Sequence, residues 1–153
     1  MQRSGFVSTT VGLDRGSFPM RLYAKALQHG TWTPDGIDLR ADREHWAGFD
    51  DQQRSLLLRL TALFQGGEEA VTLDVLPLIA ARARAGHLEE EIFLATFLAD
   101  EAKHTVFFRR VLDEVMEVEG SVEELGGEAY RTIFHAALPE ALQALSVDDS
   151  PAA

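Results

Sequence analysis

Two long apolar helical runs with a single glycine between them set most of what this chain can become. From Gln52 to about Ala85 the pattern is helical and apolar on most sides: Leu56, Leu57, Leu58, Leu60, Leu63, Phe64, Val71, Leu73, Val75, Leu76, Leu78 and Ile79. A helix that is apolar nearly all round belongs at the centre of a fold. Asp50 or Asp51 can cap its start and complement its dipole. Arg82 and Arg84 suit its last turn, and Gly86 is a natural stop. Gly66 and Gly67 interrupt it at about 1 kcal/mol each relative to alanine, and Pro77 is a candidate bend. The second run extends from Leu88 to about Val118, with Glu89, Glu90 and Glu91 in the first turn, where the dipole favours anions. Two such helices joined by a tight turn run antiparallel.

The remaining stretches frame this hairpin. Residues 1–18 show no helical period and read as an extended N-terminal arm. Pro19 suits a first helical turn, and Met20, Leu22, Tyr23 and Leu27 then recur at helical spacing up to Gly30. Gly30 to Asp38 carries turn residues. Ile37 to Phe49 holds a short helical patch with Trp46. Residues 121–127 read as loop, and about Ala129 to Leu145 as a third helix with Pro139 inside it. Asp148 to Ala153 is a polar break. The fold class is all-α, with residues 19–153 forming one helical domain.

Composition narrows the chemistry. A net charge of -11 argues against nucleic acids and anionic membrane surfaces as partners, since both repel an acidic protein. There is no cysteine, so disulfides, thiolate metal sites and cysteine nucleophiles are excluded, and any metal must be held by oxygen and nitrogen. The start of the sequence has no apolar run resembling a signal peptide. No stretch approaches the roughly 18 apolar residues of a membrane span. A cytoplasmic location is the default expectation.

The chemistry concentrates in Asp100-Glu101-Ala102-Lys103-His104. Residues three, four and seven apart share a helix face, and around Glu101 that face reads Leu94, Phe97, Glu101, His104, Phe108, Val111. An unpaired carboxylate there is costly, so it must be paired, protonated or bound to metal. Taken alone, Glu101 and His104 can form a local hydrogen-bonded pair. The first long helix adds weight through Gly66-Gly67-Glu68-Glu69-Ala70-Val71. Glu68 lies 18 residues before Gly86 and Glu101 lies 15 after it. At about 1.5 Å of rise per residue, both sit roughly 23–27 Å from the turn. Glu69 competes with Glu68, because its face is also largely apolar, and periodicity does not choose between them. One Glu on one helix and Glu-x-x-His on its neighbour make half of the dinuclear carboxylate site found in ferritin-like bundles. Such ligands suit iron or manganese.

Three stretches carry a resemblance: Gly67 to Thr72, Phe97 to His104, and Ile133 to Ala141. Together with Trp32-Thr33-Pro34 and Ile37-Asp38, they resemble the ribonucleotide reductase small-subunit superfamily, and most of all its ligand-binding oxidase branch with a manganese/iron cofactor. The resemblance covers about residue 17 to the end. It implies a ferritin-like helical bundle and a dinuclear site loaded with manganese and iron, or with two irons. Glu68 is implied as a metal ligand, Glu101 as a bridging ligand and His104 as a ligand of the first metal, which favours Glu68 over Glu69. Val71 matches the valine that this branch joins to a tyrosine by an ether bond. Phe97 and Phe108 are expected to line the site. Phe108 stands where radical-bearing reductase subunits carry tyrosine, which rules out a tyrosyl radical there. The branch holds a long-chain fatty acid in its core, with dioxygen as oxidant.

The same resemblance implies that the chain is the N-terminal half only, ending before the second helix pair, which carries another Glu, another Glu-x-x-His and the cross-linking tyrosine. His135 has Thr132, not Glu, three residues before it, and Tyr130 lies too early for the cross-link. Three of six ligands are therefore present. The chain is expected to be a fragment, to pair with a complementary chain, or to form a homodimer whose two-fold axis repeats the half-site. It is an oxidoreductase only if the missing half-site is supplied, and no catalytic residue is assigned. The alternatives are a ribonucleotide reductase small subunit and a metal-free helical interaction module. Trp32 and Trp46 read as packing anchors for the arm. Asp74 and Lys103 read as helix-surface groups or supports for the site residues. His29, His45 and His87, near turns, are expected to be exposed.

Overall fold

The computed structural model describes residues 5–145, and the polar break expected at 148–153 lies outside them. Among the described residues seven α-helices follow one another: α1 (Val7–Thr10), α2 (Phe18–His29), α3 (Arg40–Gly48), α4 (Asp51–Ala85), α5 (Leu88–Arg110), α6 (Glu128–Thr132) and α7 (Leu138–Ala144). No strand occurs among the described residues.

The α4–α5 hairpin is the frame. Asp50 accepts a hydrogen bond from the Gln53 backbone N–H at 2.9 Å, and the Gln53 side chain accepts one from the Asp50 N–H at 3.0 Å. Two orphan donors at the start of α4 are thereby satisfied. At the other end Gly86 adopts a left-handed φ of 79°, a conformation that a Cβ penalises. The chain reverses there and α5 packs back along α4. α2 lies against α5. The α6–α7 segment packs against α4 through α7, and the Tyr130 and Phe134 rings meet at a tilt, their centres 4.6 Å apart.

Four expectations need correction. The N-terminal arm is not wholly extended: Thr9 and Thr10 donate their hydroxyls to the Phe6 carbonyl and close one helical turn, α1. The second long helix does not continue regularly to Val118. After Arg110 it widens into a π-helical turn at Val111–Val115, which contains Leu112, the fully buried centre of the core, and Val115. The third helix is interrupted by a second π-turn at Ile133–Ala137. Pro139 explains it, because its ring clashes with the carbonyl four residues back and a wider turn relieves that conflict. Finally, Gly66 and Gly67 do not interrupt α4, which runs through them.

Gly66 has a packing reason. A Cβ there would lie 2.5 Å from the Tyr130 hydroxyl, which donates to the Leu63 carbonyl at 2.9 Å. Gly66→Ala gains about 1 kcal/mol of helix propensity. It forces Tyr130 away from its acceptor and overpacks the contact, costing about 1–3 kcal/mol for each effect. A lower urea midpoint is expected; a higher one would show that the Tyr130 contact is dispensable.

α4 is not enclosed. Only Thr61, Ala62 and Val75 are buried along it, whereas Leu56, Leu60 and Phe64 are 66%, 46% and 49% exposed. A helix that is apolar nearly all round here has cover on only part of its circumference.

Candidate metal centre

The hairpin sets the level of the candidate residues. Glu68 and Glu101 are 33 residues apart, and so are Thr72 and Thr105. Each threonine hydroxyl donates to the carbonyl four residues back: Thr72 to Glu68 at 2.8 Å, Thr105 to Glu101 at 3.1 Å. The two hydroxyls meet across the helices at 3.4 Å. This polar contact in an apolar seam ties the turn carrying Glu68 to the turn carrying Glu101, because shifting the hairpin by one residue would break it.

Glu68, Glu101 and His104 converge, each offering a ligand atom within 4.8 Å of the others. His104 Nδ1 lies 3.3 Å from Glu101 Oε2 and 3.6 Å from Glu68 Oε2. The Glu101 and Glu68 side chains are 13% and 20% exposed, and His104 is 40% exposed. Periodicity left Glu69 as a competitor, but Glu69 is exposed and lines a separate cleft with Tyr130 and His135.

The electrostatics follow from burying two carboxylates together. Burial first, and then the hydrogen bond and charge of Glu101, raise the Glu68 carboxyl above its usual range, while His104 pulls it the other way. Two acids facing one another in a partly desolvated place want a shared proton or a cation. Two hard oxygens and one imidazole nitrogen aimed at one point, with no thiol nearby, fit iron or manganese.

The surroundings are apolar. Phe64 and Phe108 stack at 5.3 Å, nearly parallel. Val71 lies in a cleft of about 280 Å³ with Leu60, Leu63, Phe64 and Phe134, which reaches Glu68. A second recess of about 350 Å³ is lined by Trp32, Ile37, Glu68, His104, Phe107 and Phe108. Phe108 thus lines this second recess together with Glu68 and His104. Phe97 lines neither recess.

Sequence reasoning missed Trp32 at the site. Its ring stacks on the His104 imidazole at 5.5 Å and 18°, so it does not serve only to anchor the arm. No local pattern could have shown this, since Trp32 comes from a turn segment 72 residues before His104. Trp46 packs edge-on against Phe49 at 6.3 Å and beneath the Arg54 guanidinium. His29, His45 and His87 are exposed, as is His135.

No family model matches the sequence. Solved structures do. A tyrosine-to-phenylalanine variant of an R2-like ligand-binding oxidase with aerobically reconstituted Mn/Fe cofactor matches at a TM-score of 0.93 and 39% identity, over 98% of this chain and 55% of that one. The anaerobically reconstituted form of such a variant matches equally. An R2-like ligand-binding oxidase with aerobically reconstituted Mn/Fe cofactor after a long soak matches at 0.94 and 39%, over 99% of this chain and 53% of that one. The chain spans about half the length of the structures it matches.

Proposed function

The chain belongs to the R2-like ligand-binding oxidases over the stretch it spans, about half the length of the solved members, and we propose that it supplies one half of a dinuclear manganese–iron centre. Glu68, Glu101 and His104 would hold the metals, with Glu101 the ligand the two would share; di-iron is the alternative loading. The observation that carries this reading is the convergence of three hard donors from two helices in a largely apolar setting. When bound, the metal pair supplies the redox chemistry for reducing dioxygen at the expense of an organic ligand. That ligand is apolar and of the long-chain fatty acid class, a reading supported by the apolar clefts on either side of Glu68.

The chain's own residues prepare the site. In the metal-free state Glu68 retains a proton at pH values where an ordinary carboxyl has lost it, and it releases that proton on binding a cation. His104 must present a neutral ring to bind. Phe64 and Phe108 stack beside the carboxylates, and Phe108 carries no hydroxyl that could hold a radical. Three ligands cannot close two coordination spheres. The remaining ligands would come from the rest of a longer chain, from a complementary chain, or from a second copy related by a two-fold axis.

The test is metal analysis of the chain after loading with manganese and iron and removal of excess. Bound metal that disappears in Glu101→Ala is expected. Metal content in the unmodified chain no higher than in Glu101→Ala would overturn the proposal and leave a helical module without metal.

A further inference from the structure

The segment between α2 and α3 lies along α5 at two points, both held by cations. Lys103 Nζ donates to the Gly30 carbonyl at 2.7 Å and to Asp100 Oδ1 at 2.9 Å. Arg110 donates to the Pro34 carbonyl and, at 3.3 Å, to the Ile37 carbonyl. Glu114 holds the Arg110 guanidinium from the other side at 2.6 and 2.9 Å. Lys103 and Arg110 are seven residues apart and so share a face of α5 two turns apart. Each cation is steadied by a nearby acid, Asp100 on α5 or Glu114 in the π-turn that follows it, and also donates to backbone carbonyls of the segment.

Between these two staples the segment is stiff. Pro34 fixes one backbone angle, and Thr33 accepts a hydrogen bond from the Gly36 N–H at 3.2 Å, capping a short 3-10 turn at Pro34–Gly36. Trp32 projects from this stretch onto His104. The Lys103 ammonium also lies 5.6 Å from the centre of the Trp32 ring, within cation–π range. One side chain therefore holds the strap's backbone and touches the ring that covers the imidazole.

We propose that Lys103, helped by Arg110, is a positioning residue that staples the Gly30–Ile37 strap to α5 and so holds Trp32 as a cover over His104, controlling water and metal access to the Glu68–Glu101–His104 triad. Ile37, next to the second staple, lines the same recess as Trp32. Loosening either staple opens the recess that Glu68 and His104 line. Asp100 serves the triad indirectly, by keeping the ammonium at the strap. The control of access rests on the proposed metal site; the stapling of Trp32 does not.

The chain has two tryptophans, so Trp46→Phe makes Trp32 the sole reporter. In that background Lys103→Met is expected to red-shift Trp32 emission and to raise its acrylamide quenching constant to that of an exposed indole. Lys103→Arg, which keeps a charged donor, is expected to restore most of the protection. Release of bound Mn²⁺ to excess chelator is expected to speed up on the order of tenfold in Lys103→Met, as for loss of a group that orients a ligand. Unchanged emission and quenching in Lys103→Met would overturn the stapling. Altered quenching with unchanged metal release would overturn the control of access. Should Lys103→Met lose its helical circular dichroism, Lys103→Gln provides the same comparison with a shorter polar chain. If no variant, nor the parent, retains Mn²⁺, the metal site itself fails, and quenching still decides the staple.

Discussion

Glu68→Gln is expected to stabilise the metal-free chain at neutral pH and, in the same molecule, to weaken metal binding on the order of a hundredfold or more, because one of three donors is lost. The two effects have opposite signs for one reason. Burial and the facing Glu101 raise the Glu68 carboxyl above its ordinary value of 4.5. An acid whose folded pKa lies above its unfolded value stabilises the fold while both states are protonated, below the unfolded pKa. That contribution is lost as pH rises through the folded pKa. The metal-free chain should therefore lose stability as pH climbs from below 4.5 toward neutrality, and Glu68→Gln should remove this component. Urea midpoints across that range read it directly. Glu69→Gln is the control: its side chain is exposed and faces another cleft, so neither the pH slope nor metal affinity should move. Equal effects of the two substitutions would contradict the assignment of Glu68.

The parts of this site legible in the sequence are those written by local rules. The capping residue Asp50, the left-handed stop at Gly86 and the helical period of both runs are near-neighbour effects. Counting outward from Gly86 then placed Glu68 and Glu101 at one level without any structure. The face of α4 was not legible to that count, since Glu68 and Glu69 both have apolar neighbours; the resemblance favoured Glu68. The structure brings Glu68 to the triad and shows Thr72 and Thr105 bridging the hairpin beside it. Local rules also failed wherever a distant residue decides the local shape. Gly66 looked like a weakness in α4 until Tyr130 arrived from 64 positions later to fill its space. The role of Trp32 depends on two cations on α5, and that of Lys103 on a carbonyl 73 residues earlier. Neither relation leaves a periodic trace.

The chain at micromolar concentration is expected to sediment as more than a monomer. Leu56, Leu60 and Phe64 recur every four residues on α4 with about half or more of their surfaces exposed. The stripe continues into the cleft that contains Val71 and reaches Glu68. A soluble monomer rarely tolerates such a continuous patch. The uncovered stripe reaches Glu68 of the triad, so on the proposed reading one association can supply both cover and the remaining ligands. Covering the exposed half of Leu60 and of Phe64 contributes about 1 kcal/mol each. Replacing both by aspartate also forces two charges into the contact or prevents it. Leu60→Asp/Phe64→Asp should therefore raise the dissociation constant on the order of a hundredfold or more, leaving a species near the 16.9 kDa of one chain. If association completes the metal site, metal content should fall with it, although both substitutions leave Glu68, Glu101 and His104 in place. An unmodified chain that stays monomeric at every concentration and binds no apolar dye would contradict the self-association. Association that survives the double substitution would place the contact elsewhere.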